Sequence, residues 1–362
     1  MKRKKTPELK RRLHRHRAED MLSFNPAIAA PEKLHGKSNI SLFNYSPSQV
    51  NFTKLDRIED SYKYLNNTSI TWINIDGMNV DEINAVCAHF GIHPLFAEDI
   101  LSTGQRPKMD ELNNMLFVLL NMLFFNKETL VVENEQVSII LGENFVLSFQ
   151  EDAHRDVFNP VRDKLKAEGS KIRISRSDYL FYSLIDMIVD NYFIIMENLG
   201  EKIEDLEDDI NHRPDTQTLA KINFLRKEMM FLRRNVSPVR ELVNGVLRSE
   251  SELIEERTEK YFKDVYDHIV QANELAENYR DMMINLQDLY LSNVNLKMNE
   301  VMKVMAVVTC LMAPATVIGG IFGMNFNKIP WLHNPGGFWI AVGLMLLIPV
   351  GMIGLFRKRG WF

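Results

Sequence analysis

The stretch Ile321-Phe322-Gly323-Met324-Asn325-Phe326-Asn327-Lys328-Ile329-Pro330 is a short polar break between two apolar runs near the C-terminus. The run before it, residues 304–322, contains no charged residue, and neither does the run after it, residues 336–356. At about 1.5 Å per residue, each run is long enough to cross a hydrocarbon core of about 30 Å as a helix. The sequence therefore predicts a two-helix membrane hairpin.

Positive charges near the two runs indicate how the hairpin is oriented. Lys297 and Lys303 precede the first run and the basic segment 357–359 follows the second, whereas the loop between them carries only Lys328. Positive residues are retained on the cytoplasmic side of a membrane. The sequence therefore predicts a multi-pass protein of the cell (inner) membrane, with both termini in the cytoplasm and the loop outside.

The composition sets limits on the rest of the chain. Hydrophobic residues make up 46% of the 362 residues and the mean hydropathy is −0.18, so most of the chain faces water. The formal net charge of −5 gives no reason to expect a nucleic-acid partner. Cys87 and Cys310 are the only cysteines, and Cys310 lies inside the first apolar run. A disulfide framework is therefore not expected, which suits a reducing cytoplasm.

Residues 1–65 are predicted to be a basic N-terminal extension. They open with Lys2-Arg3-Lys4-Lys5, and residues 20–60 show no sustained hydrophobic periodicity. This pattern is typical of a solvated, partly disordered tail. The alternative interpretation is a patch that binds nucleic acid or anionic lipid.

Residues 66–176 have the mixed pattern of an α/β domain. Segment 69–75 alternates like a strand, segment 80–90 has helical spacing, and the apolar run 115–125 fits a buried strand. Two further strands flank Gly142-Glu143-Asn144, which is a hairpin sequence. These segments predict a cytoplasmic domain that contains both helices and strands.

Long helices with few breakers follow in residues 177–300. From Glu252 the helical pattern continues into the first apolar run, with no proline before Pro314. About 70 helical residues measure roughly 105 Å, so this part is predicted to be a cytoplasmic stalk that leads into a two-helix membrane domain, residues 301–362. The predicted fold is an α+β cytoplasmic domain, a long helical stalk and two C-terminal transmembrane helices.

The motif Gly323-Met324-Asn325 lies between two terminal spans, after Asn299-Glu300-Val301-Met302-Lys303-Val304-Met305 and before a basic C-terminal end. Three upstream segments belong to the same set: His93-Pro94-Leu95-Phe96-Ala97-Glu98-Asp99-Ile100-Leu101, Ser183-Leu184-Ile185-Asp186 and Tyr261-Phe262-Lys263-Asp264-Val265-Tyr266-Asp267-His268. Together they resemble the CorA family of divalent-cation channels, and the likeness extends from about residue 70 onward. The resemblance implies a homopentameric, funnel-like channel in which the first span lines the pore.

One face of the first span carries small or polar residues. Steps of three or four residues from Asn299 lead to Met302, Ala306, Thr309, Ala313, Thr316 and Gly320. The resemblance assigns the pore to Asn299, Met302, Met305, Ala313, Thr316 and Asn325. Close helix packing is the alternative interpretation of this face, and Thr309 and Thr316 have the further alternative of bonding to their own helix.

The loop is predicted to select the ion, with Gly323, Met324 and Asn325 as the filter. Magnesium holds its water shell tightly and prefers octahedral oxygen coordination. A ring of Asn325 amides with Gly323 carbonyls therefore suits an ion that is still hydrated. Apart from His333 the loop has no histidine or cysteine, so selection of zinc by soft ligands is not encoded there. His89 and His93 are four residues apart, but they lack a third ligand and are predicted to be structural.

Carboxylates far from the membrane are the candidate metal ligands. The resemblance implies that Asp99 and Asp264 face one another across a subunit boundary, with Glu98 and Asp186 near a second site. Two carboxylates repel one another, and a divalent cation between them converts the repulsion into a clamp. The alternative interpretation is that each is an ordinary solvated acid.

The sequence contains no phosphate-binding glycine loop, nucleophile elbow or zinc-protease motif, so an enzyme is not predicted. The predicted function is a passive channel for magnesium, with cobalt or nickel as further ions, in which Mg²⁺ is both transported and regulatory. Its partners are other copies of the chain and membrane lipids. Two alternatives stay open: a zinc transporter of the same superfamily, and a membrane-tethered sensor that conducts no ions.

Overall fold

The computed structural model describes residues 38–64, 69–152, 156–212, 214–324 and 334–360. The chain divides into two compact units. The first comprises the described residues up to Gly200 together with Lys227–Tyr279, and the second comprises Glu201–Arg226 together with the described residues from Arg280 onward.

The described residues of the first unit form a seven-stranded sheet with the order β2-β1-β3-β7-β6-β5-β4. The strands are β1 Asn39–Tyr45, β2 Val50–Leu55, β3 Ile70–Asp76, β4 Lys108–Leu112, β5 Met115–Asn126, β6 Val131–Leu141 and β7 Phe145–Gln150. β3 pairs with β7 in parallel, and the other neighbouring strands pair antiparallel. The α/β character predicted from the sequence is confirmed, and β6 and β7 form the predicted hairpin.

The sheet starts earlier than the predicted domain boundary at residue 66. β1, β2 and a 3-10 helix at Ile58–Tyr64 belong to the sheet and its packing, so the part of the predicted extension from Asn39 onward is corrected. Ile40, Leu42 and Phe43 of β1 are at most 1% exposed. Both faces of β1 carry polar as well as apolar residues in Asn39-Ile40-Ser41-Leu42-Phe43-Asn44-Tyr45, so the alternation typical of a half-buried strand is not sustained. The basic run Lys2-Arg3-Lys4-Lys5 lies outside the described residues.

The helices are α1 Val80–His89, α2 Pro94–Leu101, α3 Asn159–Lys166, α4 Lys171–Ile174, α5 Ser177–His212, α6 Thr216–Arg248, α7 Glu256–Phe322 and α8 Gly337–Lys358. α7 is 67 residues long, which corresponds to about 100 Å. It continues through Pro314 without interruption. The predicted long helix and the two C-terminal helices are therefore present.

Local capping fixes the ends of the two helices that cover one face of the sheet. The Asn79 side chain accepts hydrogen bonds from the first turn of α1. His93 Nδ1 accepts from Leu95 N at 3.2 Å at the start of α2, where Pro94 occupies the first turn. The His89 ring stacks on Tyr62 with 3.7 Å between ring centroids. Both histidines thus make structural contacts, and α2 carries Glu98 and Asp99 in a fixed position.

Candidate pore and metal-binding sites

Among the described residues, three helices are long and apolar enough to cross a membrane. Of the most apolar 18-residue stretch of α5, 61% is buried inside the protein. The corresponding share is 6% in α7 and 6% in α8. An apolar surface that protein does not cover needs a lipid or protein partner. α5 uses its apolar face in the core of the chain, and α7 and α8 are the pair that suits a bilayer.

The segments of α7 and α8 approach one another at two positions along their length, as a helical hairpin requires. A Cβ built on Gly319 would lie 3.7 Å from Met345 Cε, and Lys303 Nζ donates to the Gly360 carbonyl at 3.4 Å. The two contact positions are 16 positions apart on α7 and 15 apart from Met345 to Gly360, which lies just past the end of α8. The nearly equal spacing shows that the two helices run antiparallel alongside one another.

The predicted pore-lining residues share one face of α7. At about 100° per residue, the six fall within an arc of about 120°. They are Asn299, Met302, Met305, Thr309, Ala313 and Thr316, and all are exposed within the single chain. The more shielded residues of the same span lie on the opposite side and include Val307, Leu311, Pro314 and Ile318. The predicted pore face is therefore not the face that the chain itself covers.

Both threonines on this face bond to the backbone of their own helix. Thr309 Oγ1 donates to the Met305 carbonyl at 2.8 Å, and Thr316 Oγ1 donates to the Met312 carbonyl at 3.0 Å. The alternative raised from the sequence is thus observed. Each hydroxyl oxygen keeps its capacity to accept a hydrogen bond from water, because donation uses only the proton.

The described structure reaches the first two residues of the predicted filter. Gly323 N donates to the Gly319 carbonyl at 2.9 Å, and Met324 N donates to the Ile321 carbonyl at 3.3 Å. A Cβ on Gly323 would lie 3.1 Å from the Gly319 carbonyl oxygen, so a larger residue there requires a shift of a few tenths of an ångström. Asn325 lies outside the described residues, and its role stays a prediction.

Of the predicted metal ligands, Asp99 already has a cation beside it. Lys108 Nζ on β4 lies 2.6 Å from Asp99 Oδ2 and 3.4 Å from Asp110 Oδ2. Partial burial lowers the pKa of Lys108, but its bonds to Asp99 and Asp110 outweigh this and raise the pKa overall. Glu98 next to it and Asp264 on α7 are exposed. The pairing of Asp99 with Asp264 of a second copy of the chain stays a prediction.

Asp186 lies in a cluster that sequence reasoning only partly identified. Ligand atoms of Asp186, Asp190 and His268 all lie within 4.8 Å of one another. Tyr182 donates its hydroxyl to Asp186 Oδ2 at 3.1 Å, and His268 Nδ1 is 3.8 Å from Asp190 Oδ1. That nitrogen is buried and has no hydrogen-bond partner among the described residues.

The electrostatics of this cluster favour a cation. Burial and the charge of Asp190 raise the pKa of Asp186, although Tyr182 and His268 act in the opposite direction. Two carboxylates and an imidazole nitrogen form a donor set that accepts a divalent ion. Asp190 and His268 were missed, although their spacing carried a signal: Asp190 follows Asp186 by four residues, and His268 follows Asp264 by four.

Comparison with known proteins agrees with the fold and the membrane helices. A family model described as CorA-like Mg2+ transporter protein matches residues 67–358. The chain is 40% identical over 323 residues to the cobalt/magnesium transport protein CorA of Thermotoga maritima, covering 89% of this chain and 92% of that protein.

Two solved structures share the architecture. The complete structure of the CorA magnesium transporter from Methanocaldococcus jannaschii matches with a TM-score of 0.73 at 24% identity, covering 89% of this chain and 98% of that one. The ZntB cytoplasmic domain from Vibrio parahaemolyticus matches with a TM-score of 0.55 at 16% identity, covering 72% of this chain and 99% of that one. At these identities the two likenesses establish fold alone. The match of the family model across most of the chain, with the 40% identical relative, shows that this chain belongs to the CorA-like Mg2+ transporter protein family.

Proposed function

We propose that the chain is the subunit of a passive magnesium channel that also admits cobalt and nickel. The observation that carries the proposal is the apolar hairpin of α7 and α8, whose exposed face holds the six predicted pore residues. A single hairpin cannot enclose an aqueous path, so several copies must surround it. The resemblance to the family implies five copies in the cell (inner) membrane, and the positive charges at Lys297, Lys303 and residues 357–359 favour both termini in the cytoplasm.

The filter is assigned to Gly323, Met324 and Asn325 at the outer end of α7. Stripping water from Mg²⁺ is costly, so a ring of neutral amides that bonds to the coordinated water admits the ion hydrated. The end of α7 at Phe322 supports this assignment, because the motif then lies just past the end of the apolar helix.

The gate is assigned to Met302 and Met305. Both are exposed on the proposed pore face, at 61% and 67%. A ring of thioethers excludes water from a narrow pore and closes it by dewetting. The competing role is packing against neighbouring helices, which methionine also performs well.

Replacing Met302 and Met305 together with glycine should raise magnesium flux under closing conditions by at least about threefold, because the constriction is then wide enough to stay wet. The measurement is flux into liposomes at high magnesium on the cytoplasmic side. Met352→Gly on α8 serves as the control for loss of a methionine in the membrane domain. Unchanged flux in a properly assembled double variant would assign both residues to packing.

Regulation by cytoplasmic magnesium is assigned to carboxylates of the first unit. Asp99 of one subunit and Asp264 of the next hold an ion between them, and Glu98 and Asp186 contribute to a second site. The geometry of Asp190 and His268 beside Asp186 supports that second site. Bound magnesium holds the subunits in the closed arrangement, and loss of the ion releases them, because the ion has a higher affinity for the closed state.

Purified protein in liposomes tests the function directly. We expect uptake of magnesium, cobalt and nickel without nucleotide, and much slower uptake of zinc. The nitrogen ligand His268 is the one observation that favours zinc, and zinc uptake above magnesium uptake would establish the zinc transporter instead. If the vesicles take up no divalent ion, the result would favour the alternative of a membrane-tethered sensor that conducts no ions.

A further inference from the structure

Lys108 forms an ion pair with Asp99, one of the predicted magnesium ligands. Its ammonium nitrogen lies 2.6 Å from Asp99 Oδ2, and the two side chains are 36% and 16% exposed. We infer that Lys108 is a tethered competitor for magnesium at Asp99 and thereby sets the magnesium concentration at which the channel closes. This inference rests on the proposed role of Asp99 in regulation.

The position of Asp99 is fixed, so the competition takes place at one defined point. Gln136 Nε2 on β6 donates to the Asp99 backbone carbonyl at 3.1 Å, and Gln136 Oε1 in turn accepts from Gln105 N at 3.3 Å. These bonds hold the C-terminal end of α2 against the sheet. The Asp99 carboxylate and the Lys108 ammonium therefore meet without a large rearrangement of the chain.

The ammonium and a divalent ion compete for the same oxygen. Magnesium requires close oxygen ligands, and a positive ammonium at hydrogen-bond distance repels a second cation at that oxygen. Magnesium binding must therefore displace Lys108 from Asp99. The ion pair between Lys108 and Asp99 stabilises only the magnesium-free state. Its free energy therefore lowers the affinity of the site for magnesium.

Asp110 gives the displaced ammonium an alternative partner. Asp110 Oδ2 lies 3.4 Å from Lys108 Nζ, and its side chain is 46% exposed. A small rotation of the lysine transfers the ammonium from Asp99 to Asp110 without leaving it unpaired. The exchange is therefore readily reversible, as a sensor of fluctuating magnesium requires.

Magnesium titration of protease protection tests the inference on the full chain. Lys108→Met should lower the magnesium concentration at half protection by about fivefold, which corresponds to about 1 kcal/mol. Lys108→Gln provides a second neutral variant, and Lys108→Arg should keep a midpoint close to that of the wild type because the guanidinium restores the ion pair.

Lys202 offers a matched control. Its ammonium also lies 2.6 Å from a carboxylate, that of Asp205, and its side chain is 33% exposed. Lys202→Met should leave the midpoint unchanged. A wild-type midpoint in both neutral Lys108 variants, or a shift to higher magnesium, would overturn the inference while leaving the proposed regulation standing. A wild-type protein with no magnesium response would overturn the proposed regulation itself, and the inference would fall with it.

Discussion

Asn325→Ala is expected to reduce magnesium flux by at least about tenfold while leaving assembly intact. The loss of one hydrogen bond to a charged ligand costs about 1.5–3 kcal/mol, and a symmetric ring of subunits loses several such bonds at once. An alanine ring offers no oxygen or amide to the water shell of the ion. The coordinated water of the hydrated ion then has no amide partner at this position, so the ion is held less well at the entrance and passes more slowly.

The measurement is initial magnesium uptake by liposomes that contain equal amounts of assembled protein. Asn327→Ala is the matched control, because it removes the same side chain from the same loop without touching the Gly323-Met324-Asn325 motif. The control should transport at nearly the wild-type rate. Wild-type uptake by the Asn325→Ala variant would remove hydrated-ion recognition by this residue from the proposed mechanism.

The membrane hairpin was predictable because its signal is composition alone. Two charge-free runs separated by a short polar break suffice, whatever the rest of the chain does. The sheet was less predictable at its N-terminal edge. β1 is buried on both faces, and β2 is an exposed edge strand that alternates only over Val50-Asn51-Phe52-Thr53, so neither shows the sustained alternation that marks a half-buried strand.

The candidate metal sites show the limit of linear spacing. Asp186 and His268 are 82 positions apart in the chain, and only the packing of α5 beside α7 in the first unit brings their ligand atoms within 4.8 Å. The pairing of Asp99 with Lys108 likewise depends on β4 returning beside the end of α2. Spacing on one helix was visible in the sequence, whereas contacts between separate elements were not.

A charge reversal at Asp264 tests the proposed clamp. Asp264 is exposed on α7, and in the proposal it faces Asp99 of the neighbouring subunit with a magnesium ion between the two. Asp264→Lys places an ammonium where the ion would sit, and that ammonium pairs with Asp99 while Lys108 shifts to Asp110. The variant is therefore expected to hold the closed arrangement in the absence of magnesium.

Protease cleavage of the stalk measures this effect. Without magnesium the Asp264→Lys variant should be cut within about twofold of the rate of the magnesium-loaded wild type, because a fixed ammonium replaces the bound ion as the bridging charge. Asp288→Lys reverses the same charge about 36 Å further along the same helix and should remain dependent on magnesium. If Asp264→Lys depends on magnesium as strongly as the wild type does, Asp264 is an ordinary solvated residue and the clamp must be built from other carboxylates.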